Sequence, residues 1–295
     1  MKVRIGVGMG PLDGDPSGLA GLVDDLDDLG FDSIWLPEVL TAPTLDPLAA
    51  LAFAAAHNPR LKLGTTMLLP GRNVVRVAKQ LATLDRLSGG RLLVTFVPGL
   101  AHLPESGAVG VPSKDKGPRM EEAFPLLRKL WAGETVDHDG AVGEWEGITL
   151  SPLPVQQPLE FWTGGMDPAA LQRCGRFADG WLPSACTPAE AAAGRLVIDE
   201  AAADAGRVIS PEHFGVSLAY APGPLEPAML AALGRARKGV DPATVVPAGL
   251  DALRAFLESF LEVGFSKFVV RPLGKPESWR AELEALSAAV CDLQT

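Results

Sequence analysis

Cysteine is scarce and odd in number. Cys174, Cys186 and Cys291 are the three in 295 residues. They have no metal-ligand spacing and cannot all pair, so a disulfide framework is not expected. They read instead as small buried side chains of a reduced, cytoplasmic protein. Histidine is equally thin: His57, His102, His138 and His213 are scattered, with no His/Asp/Glu cluster to suggest a metal site. No Gly-x-Ser-x-Gly elbow and no Gly-x-Gly-x-x-Gly fingerprint occurs, so neither a serine hydrolase nor a dinucleotide-binding first βα turn is indicated. No apolar run reaches the about 18 residues of a membrane-spanning helix. The segment Met1-Lys2-Val3-Arg4-Ile5-Gly6-Val7-Gly8 enters a strand at once, without a signal-peptide pattern. Positive charge is in deficit, with 26 Lys and Arg against 36 Asp and Glu, a net charge of −10 and no basic block. Duplex or single-strand nucleic-acid binding needs a concentrated basic face and is not expected. A small anionic ligand remains possible through a few local cations.

What is present is a regular alternation of strand-like and helix-like runs. The expected strands are residues 3–9, 33–38, 61–69, 91–97, 159–163, 180–184, 213–220 and 267–271. Helices are expected at 17–29, 47–56, 74–87, 119–131, 168–177, 188–205, 248–263 and 276–293. Eight strands each followed by a helix predict an α/β fold of the (β/α)8 TIM-barrel type, one domain over residues 1–295. A doubly wound open sheet is the alternative. Gly30 and Gly264 are expected to end helices, and Asp46-Pro47 to start one. Two stretches interrupt the pattern. Residues 99–117 form a long Gly/Pro/Ser-rich loop after the fourth strand, and residues 135–158 suggest a small β-hairpin inserted after the fourth helix.

In such a barrel the site is built where the strands end. That rule nominates Met9, Glu38, Thr66, Met67, Pro98, Gly99, Gly164, Gly165, Ser184 and Arg271, with the long fourth loop as a lid. Glu38 follows the apolar run Ser33-Ile34-Trp35-Leu36-Pro37. It reads either as a hydrogen-bond acceptor or proton-transfer group for a bound cofactor, or as a carboxylate paired to a neighbouring arginine or capping a turn. Gly164-Gly165-Met166-Asp167-Pro168 joins a strand to a helix. Its glycines and helix start favour a phosphate, but Asp167 is also a good N-cap that would compete with an anion. His102 in the fourth loop is the histidine nearest the expected mouth. No self-contained catalytic set emerges, which suits an enzyme that borrows a cofactor.

The segment from Ala78 to Leu92 reads as a helix with Leu81, Leu84 and Leu87 on one stripe, closed by Gly89-Gly90 and followed by the buried strand Leu92-Leu93-Val94-Thr95-Phe96-Val97. It resembles a motif of the bacterial luciferase-like family of flavin- and deazaflavin-dependent oxidoreductases. Gly30 to Glu38, Leu61 to Met67, Lys116 to Glu122, Ala178 to Pro183 and Val269 to Pro272 resemble further segments of that family in the same order.

The resemblance implies a (β/α)8 barrel holding coenzyme F-420, an 8-hydroxy-5-deazaflavin, or alternatively FMN. Cofactor contacts are implied at Glu38, Val39, Thr66, Met67, Pro98, Gly99, Gly164, Gly165 and Met166, with a non-proline cis peptide at Thr66-Met67 and the glycine turn on the phosphate. It implies Arg271 and His102 as substrate contacts, Arg271 toward an anion or else in a rim salt bridge. It also implies a homodimer through helices beside the second and third strands, where the Ala-rich run 47–56 permits close packing.

The chain departs from the family in having Val39 where a histidine often follows the acid, and Val97-Pro98-Gly99-Leu100 where an acid is frequent. An alcohol dehydrogenase is therefore disfavoured. The resulting expectation is hydride transfer between reduced F-420 and an unsaturated or carbonyl-type small organic substrate, with Glu38 as the catalytic candidate. The alternatives are an FMN-dependent monooxygenase and a non-catalytic flavin- or deazaflavin-binding protein.

Overall fold

The computed structural model describes residues 1–9, 16–99, 105–225, 230–231 and 240–295. Eight strands form one sheet: β1 (Arg4–Gly8), β2 (Ser33–Pro37), β3 (Lys62–Leu68), β4 (Leu92–Val97), β7 (Phe161–Thr163), β8 (Gly180–Trp181), β9 (Gly215–Tyr220) and β10 (Lys267–Pro272). Their order is β8-β7-β4-β3-β2-β1-β10-β9, all neighbours parallel. Parallel bridges Trp181↔Phe214 and Ser184↔Ser217 bring the two edges together, so the sheet closes into the expected (β/α)8 barrel. The inserted hairpin is β5 (Thr135–Gly140) and β6 (Gly143–Thr149), paired antiparallel.

Helices α1 (Pro16–Asp28), α2 (Pro47–His57), α3 (Val74–Ser88), α5 (Ser113–Trp131), α6 (Pro168–Phe177), α7 (Pro188–Asp204), α8 (Leu250–Glu262) and α9 (Trp279–Val290) accompany the strands, and α4 (Glu105–Ala108) is a single turn in the fourth loop. Local chemistry sets their ends. Asp46 accepts from Ala49 N at the start of α2, and Thr187 with Glu190 forms a capping box on α7. Gly89 closes α3 in the left-handed region, φ 66°.

The period of two sorts every strand into an outer and an inner face. Ile5, Ile34, Leu63, Phe96, Phe161, Val216 and Val270 look outward into the core beneath the helices. Trp35, Leu182 and Val269, with Leu93 and Trp162 against them, fill the inside of the barrel as a separate cluster. Glycines make room for the two indoles. A Cβ on Gly64 would lie 2.2 Å from the Trp35 ring, and one on Gly180 2.4 Å from that of Trp162.

The Ala78–Leu92 segment proves to be scaffold. Asp85, wholly buried, accepts from the backbone N–H of Val155 at 2.6 Å and of Gln156 at 2.9 Å, and from the Gln156 amide at 2.7 Å. Arg91 donates to the carbonyls of Ser88, Leu61 and Ala55 and so ties α3 to α2 and the start of β3. These contacts lie at the strand-entry end, away from the mouth.

Two expectations are corrected. The Thr66-Met67 peptide is trans: the cis bonds among the described residues are Ser151-Pro152 and Gln157-Pro158. β3 pairs through Thr66 with β2 and through Leu68 with β4 in unbroken register, so regular ladders occupy the place of the expected bulge. The fourth loop is also shorter than 99–117, because α5 begins at Ser113 and carries Pro118 within it. Gly117-Pro118 looks like a breaker in sequence, yet Pro118, the sixth residue of α5, and Pro125 both lie inside the helix, each without the N–H that would bond four residues back. Cys174 and Cys186 are buried as expected, whereas Cys291 is half-exposed.

Candidate active site

The strand-exit end of the barrel is lined by small inward residues. Gly8, Thr66, Val97, Gly164, Ala219 and Arg271 face inward there. Thr66, Val97, Ala219 and Arg271 are only half-buried, while their outward neighbours Met67, Phe96, Tyr220 and Val270 are sealed at 0%. The inward residues above the Trp35–Trp162 layer are therefore partly accessible at this end of the barrel. Thr95, one step deeper than Val97, is 1% exposed and its hydroxyl oxygen has no hydrogen-bond partner among the described residues.

Glu38 stands at the end of β2 with its side chain 4% exposed. One carboxylate oxygen accepts the backbone N–H of Leu68 at 2.8 Å, and the other pairs with the Arg72 guanidinium. The acid thus holds the exit of β3 and the turn into α3. This geometry corresponds to the arginine-paired reading of Glu38, and proton transfer would require that pair to open.

Gly164 and Gly165 follow β7 as expected. A Cβ on Gly164 would lie 3.1 Å from Val97 Cγ1. Gly165 has φ 103° and gives its carbonyl to the Trp181 indole N–H at 3.0 Å. Asp167 caps α6 by accepting from Ala170 N at 3.0 Å, so a phosphate at this turn would share the helix start with a carboxylate. Its anchors would be the N–H groups of Gly165 and Met166, which serve no acceptor among the described residues.

Arg271 is the inward cation of the mouth. Its Cβ and Cδ lie 3.4 and 3.7 Å from where a Cβ on Gly8 would be, so the glycine is what gives the side chain its place. No carboxylate among the described residues pairs with it, and burial pushes its guanidinium below the usual arginine range. The rim salt bridge considered from sequence is not formed by these residues.

The remaining candidates divide. Val39, Pro98 and Gly99 are half-buried at the mouth, and a Cβ on Gly99 would lie 2.9 Å from Leu68. Met166 packs partly against the core. The side chains of Met67 and Met9 face the helix layer and present only their backbone to the mouth. His102 lies outside the described residues. His57 pairs with Asp24 at 3.0 Å and His138 with Glu122 at 2.8 Å, while His213 contacts the Asp179 carbonyl at 2.9 Å, so each has a structural partner away from the mouth.

Three features of the mouth carried no sequence signal. Glu105, 4% exposed in α4, accepts from the backbone and hydroxyl of Thr41 at 3.2 and 3.3 Å, which pins the fourth loop to the second. Lys116, 3% exposed, donates to Ser106 at 3.0 Å on the same loop. Ala185, just past β8, sits at φ 50°, a left-handed conformation that costs a non-glycine residue about 1–2 kcal/mol. Strain of this kind collects near functional loops.

Eight parallel strands closed into one barrel with helices between them define an α/β barrel, and residues 3–262 match the model of the luciferase-like monooxygenase family. The chain belongs to that family. It is 32% identical over 171 residues to the limonene 1,2-monooxygenase of Rhodococcus erythropolis, covering 56% of this chain and 44% of that protein. It is 29% identical over 180 residues to an F-420-dependent glucose-6-phosphate dehydrogenase of Nakamurella multipartita, covering 57% and 52%. The matches thus span about half the length of these curated relatives. Among solved structures, an F-420-dependent secondary alcohol dehydrogenase in complex with an F-420–acetone adduct superposes with a TM-score of 0.86 at 17% identity, covering 100% of each chain. The F-420-dependent tetrahydromethanopterin reductase of Methanopyrus kandleri gives 0.80 at 19%, again over 100% of each. At these identities the structural likeness establishes the barrel.

Proposed function

We propose that the protein is an oxidoreductase that transfers hydride between reduced coenzyme F-420 and an unsaturated or carbonyl-type small organic substrate at the strand-exit mouth. The observation that carries this reading is the make-up of that end: small, partly exposed inward residues and, among the described residues, a Thr95 hydroxyl and an Arg271 guanidinium without a partner above the Trp35–Trp162 layer. These residues fit a planar heterocycle with an anionic appendage. Gly8, Gly164 and Thr66 leave the width for a ring, and the backbone N–H groups of Gly165 and Met166, which have no acceptor among the described residues, suit a phosphate.

In this reading Thr66 and the Met67 backbone lie behind the ring, and Val39, Pro98 and Gly99 border it. Glu38 acts as a positioning residue, since its contacts run to Leu68 and Arg72. Arg271 orients an anionic or strongly polar substrate group. When bound, the deazaflavin supplies a hydride at the ring carbon that replaces flavin N5, and the protein supplies placement and exclusion of water. Relatives include F-420-dependent enzymes, which supports the choice of cofactor.

An FMN-dependent monooxygenase on the same mouth is the second reading, supported by the family description and the limonene 1,2-monooxygenase match. A carrier that binds the cofactor without turnover is the third. We also infer a homodimer through α2, whose Phe53 is 41% exposed beside a row of alanines.

The discriminating experiment incubates the protein without oxygen with reduced F-420 and a panel of enones, imines and ketones, and follows recovery of the deazaflavin absorbance. Substrate-dependent recovery supports hydride transfer. Oxygen uptake with reduced FMN, and none of this recovery, would move the assignment to the monooxygenase. Binding without either would leave the carrier.

A further inference from the structure

Two side chains of opposite charge are buried in the fourth loop and the helix that follows it, and neither meets its opposite. Glu105 in α4 is 4% exposed, and its carboxylate accepts from the backbone N–H of Thr41 at 3.2 Å and from the Thr41 hydroxyl at 3.3 Å. Lys116, near the start of α5, is 3% exposed, and its ammonium donates to the Ser106 hydroxyl at 3.0 Å. Among the described residues, no cation lies within ion-pair distance of Glu105 and no acid within that of Lys116. The two charges are nonetheless neighbours, because the Ser106 that Lys116 holds is the residue beside Glu105.

A buried charge without a counter-charge is costly, and pairing these two with each other would relieve both. Instead, consecutive residues of α4 are held from two sides, Glu105 by the loop after β2 and Ser106 by α5. A third hold comes from the loop after β3. A Cβ on Gly71 would lie 2.2 Å from the Val109 carbonyl oxygen, so the close approach depends on that glycine. Strands β2, β3 and β4 are neighbours in that order. The segment Glu105–Val109, which follows β4, therefore straps past the exit of β3 to the exit of β2. That is the sector of the mouth to which the reading above assigns the cofactor ring.

We propose that this strap is a gate for the cofactor, opened when Glu105 exchanges Thr41 for Lys116. In the closed arrangement, the one described above, Thr41 holds the carboxylate and both ions stay unpaired. In the open arrangement the carboxylate turns back to α5 and pairs with the ammonium, Ser106 is released, and the strap leaves the loop after β2. The unpaired charges limit the stability of the closed state, and the ion pair keeps the open state within reach. The strap is then a two-state element that a ligand can bias. The gating rests on the assignment of the cofactor to this sector, whereas the exchange of partners does not.

The test is hydrogen exchange of the full chain without cofactor, read by mass spectrometry in peptides covering residues 105–112, where exchange reports opening. Lys116→Met and Glu105→Gln each remove the ion pair of the open state, and each should slow exchange by about threefold or more. Thr41→Val weakens the closed state and should speed it. Were Lys116 only a brace, Lys116→Met would lose the Ser106 bond and exchange faster. Unchanged or faster exchange in the two charge variants would therefore overturn the proposal, and Glu105→Gln carries the test if Lys116→Met does not fold. Stopped-flow fluorescence with F-420 then tests the gating. In Glu105→Gln the association and dissociation rates should fall by one common factor, with Kd unchanged. Slowed exchange with unaltered F-420 rates would overturn the gate. A wild type that binds no F-420 would strike the cofactor assignment and the gate with it, while the exchange rates would still decide whether Glu105 changes partner.

Discussion

The carboxylate of Glu38 accepts the backbone N–H of Leu68 at 2.8 Å while its other oxygen pairs with Arg72. One acid at the end of β2 thereby fixes both the last residue of β3 and the turn that leaves it. Glu38→Ala should cost about 2–3 kcal/mol, because a buried N–H and a half-buried guanidinium lose their acceptor together. Glu38→Gln keeps the Leu68 bond and should cost about half as much. Chemical denaturation measures both. A positioning role predicts that turnover falls in parallel with cofactor affinity. A proton-transfer role would instead stop turnover in Glu38→Gln with affinity intact.

Asp85 should matter more for folding than any residue of the mouth. It is fully buried and accepts three hydrogen bonds from residues 155 and 156. Asp85→Ala should destabilise by about 3–5 kcal/mol, and Asp85→Asn by less, since the amide oxygen keeps one acceptor in place. Ligand binding by whatever fraction remains folded should be unaltered.

These two acids mark what the sequence could and could not reveal. The eight strands lie within two or three residues of the expected limits because each is a short apolar run bounded by glycine, proline or a cap, and burial on both faces writes that pattern directly. The Ala78–Leu92 segment identified the family although its polar residues, Asp85 and Arg91, brace the scaffold far from the mouth. Strand-end positions such as Glu38, Gly165 and Arg271 were legible because the barrel rule selects them. Their partners were not. Arg72 and Leu68 lie 34 and 30 residues from Glu38, and Glu105 lies 64 from Thr41, separations at which no local periodicity carries information. The expected cis peptide failed for a related reason: it came from resemblance, and the regular β2–β3–β4 register was not visible in β3 alone.

Arg271 is an inward cation with no acidic partner among the described residues, and burial lowers its basicity. Arg271→Met, close in length and uncharged, should leave the melting temperature unchanged or raise it, because a partly desolvated charge is removed without opening a cavity. The same change should lower kcat/KM for an anionic substrate by about 10- to 100-fold, the worth of one hydrogen bond to a charged group. A clear fall in stability would show that the guanidinium braces the fold.

Ala185 occupies the left-handed region at φ 50° beside the mouth. Ala185→Gly should be neutral or stabilising by up to about 1 kcal/mol, as relief of strain offsets the greater freedom of the unfolded chain. A loss of more than that in thermal unfolding would mean that the methyl group makes a packing contact outweighing the strain.

The central claim, that the strand-exit mouth holds a deazaflavin with its phosphate at the glycine turn, is tested most directly by fluorescence titration. Wild type, Gly165→Ala and Gly165→Asp would each be titrated with oxidised F-420 and, separately, with FMN. Both substitutions strain a backbone at φ 103° and crowd Ala170, 2.8 Å from the new Cβ, so their difference reports the added charge. The account predicts saturable, selective F-420 binding by the wild type, and an affinity for Gly165→Asp at least about tenfold below that of Gly165→Ala. Equal affinities in the two variants, or no binding of either cofactor by the wild type, would contradict it.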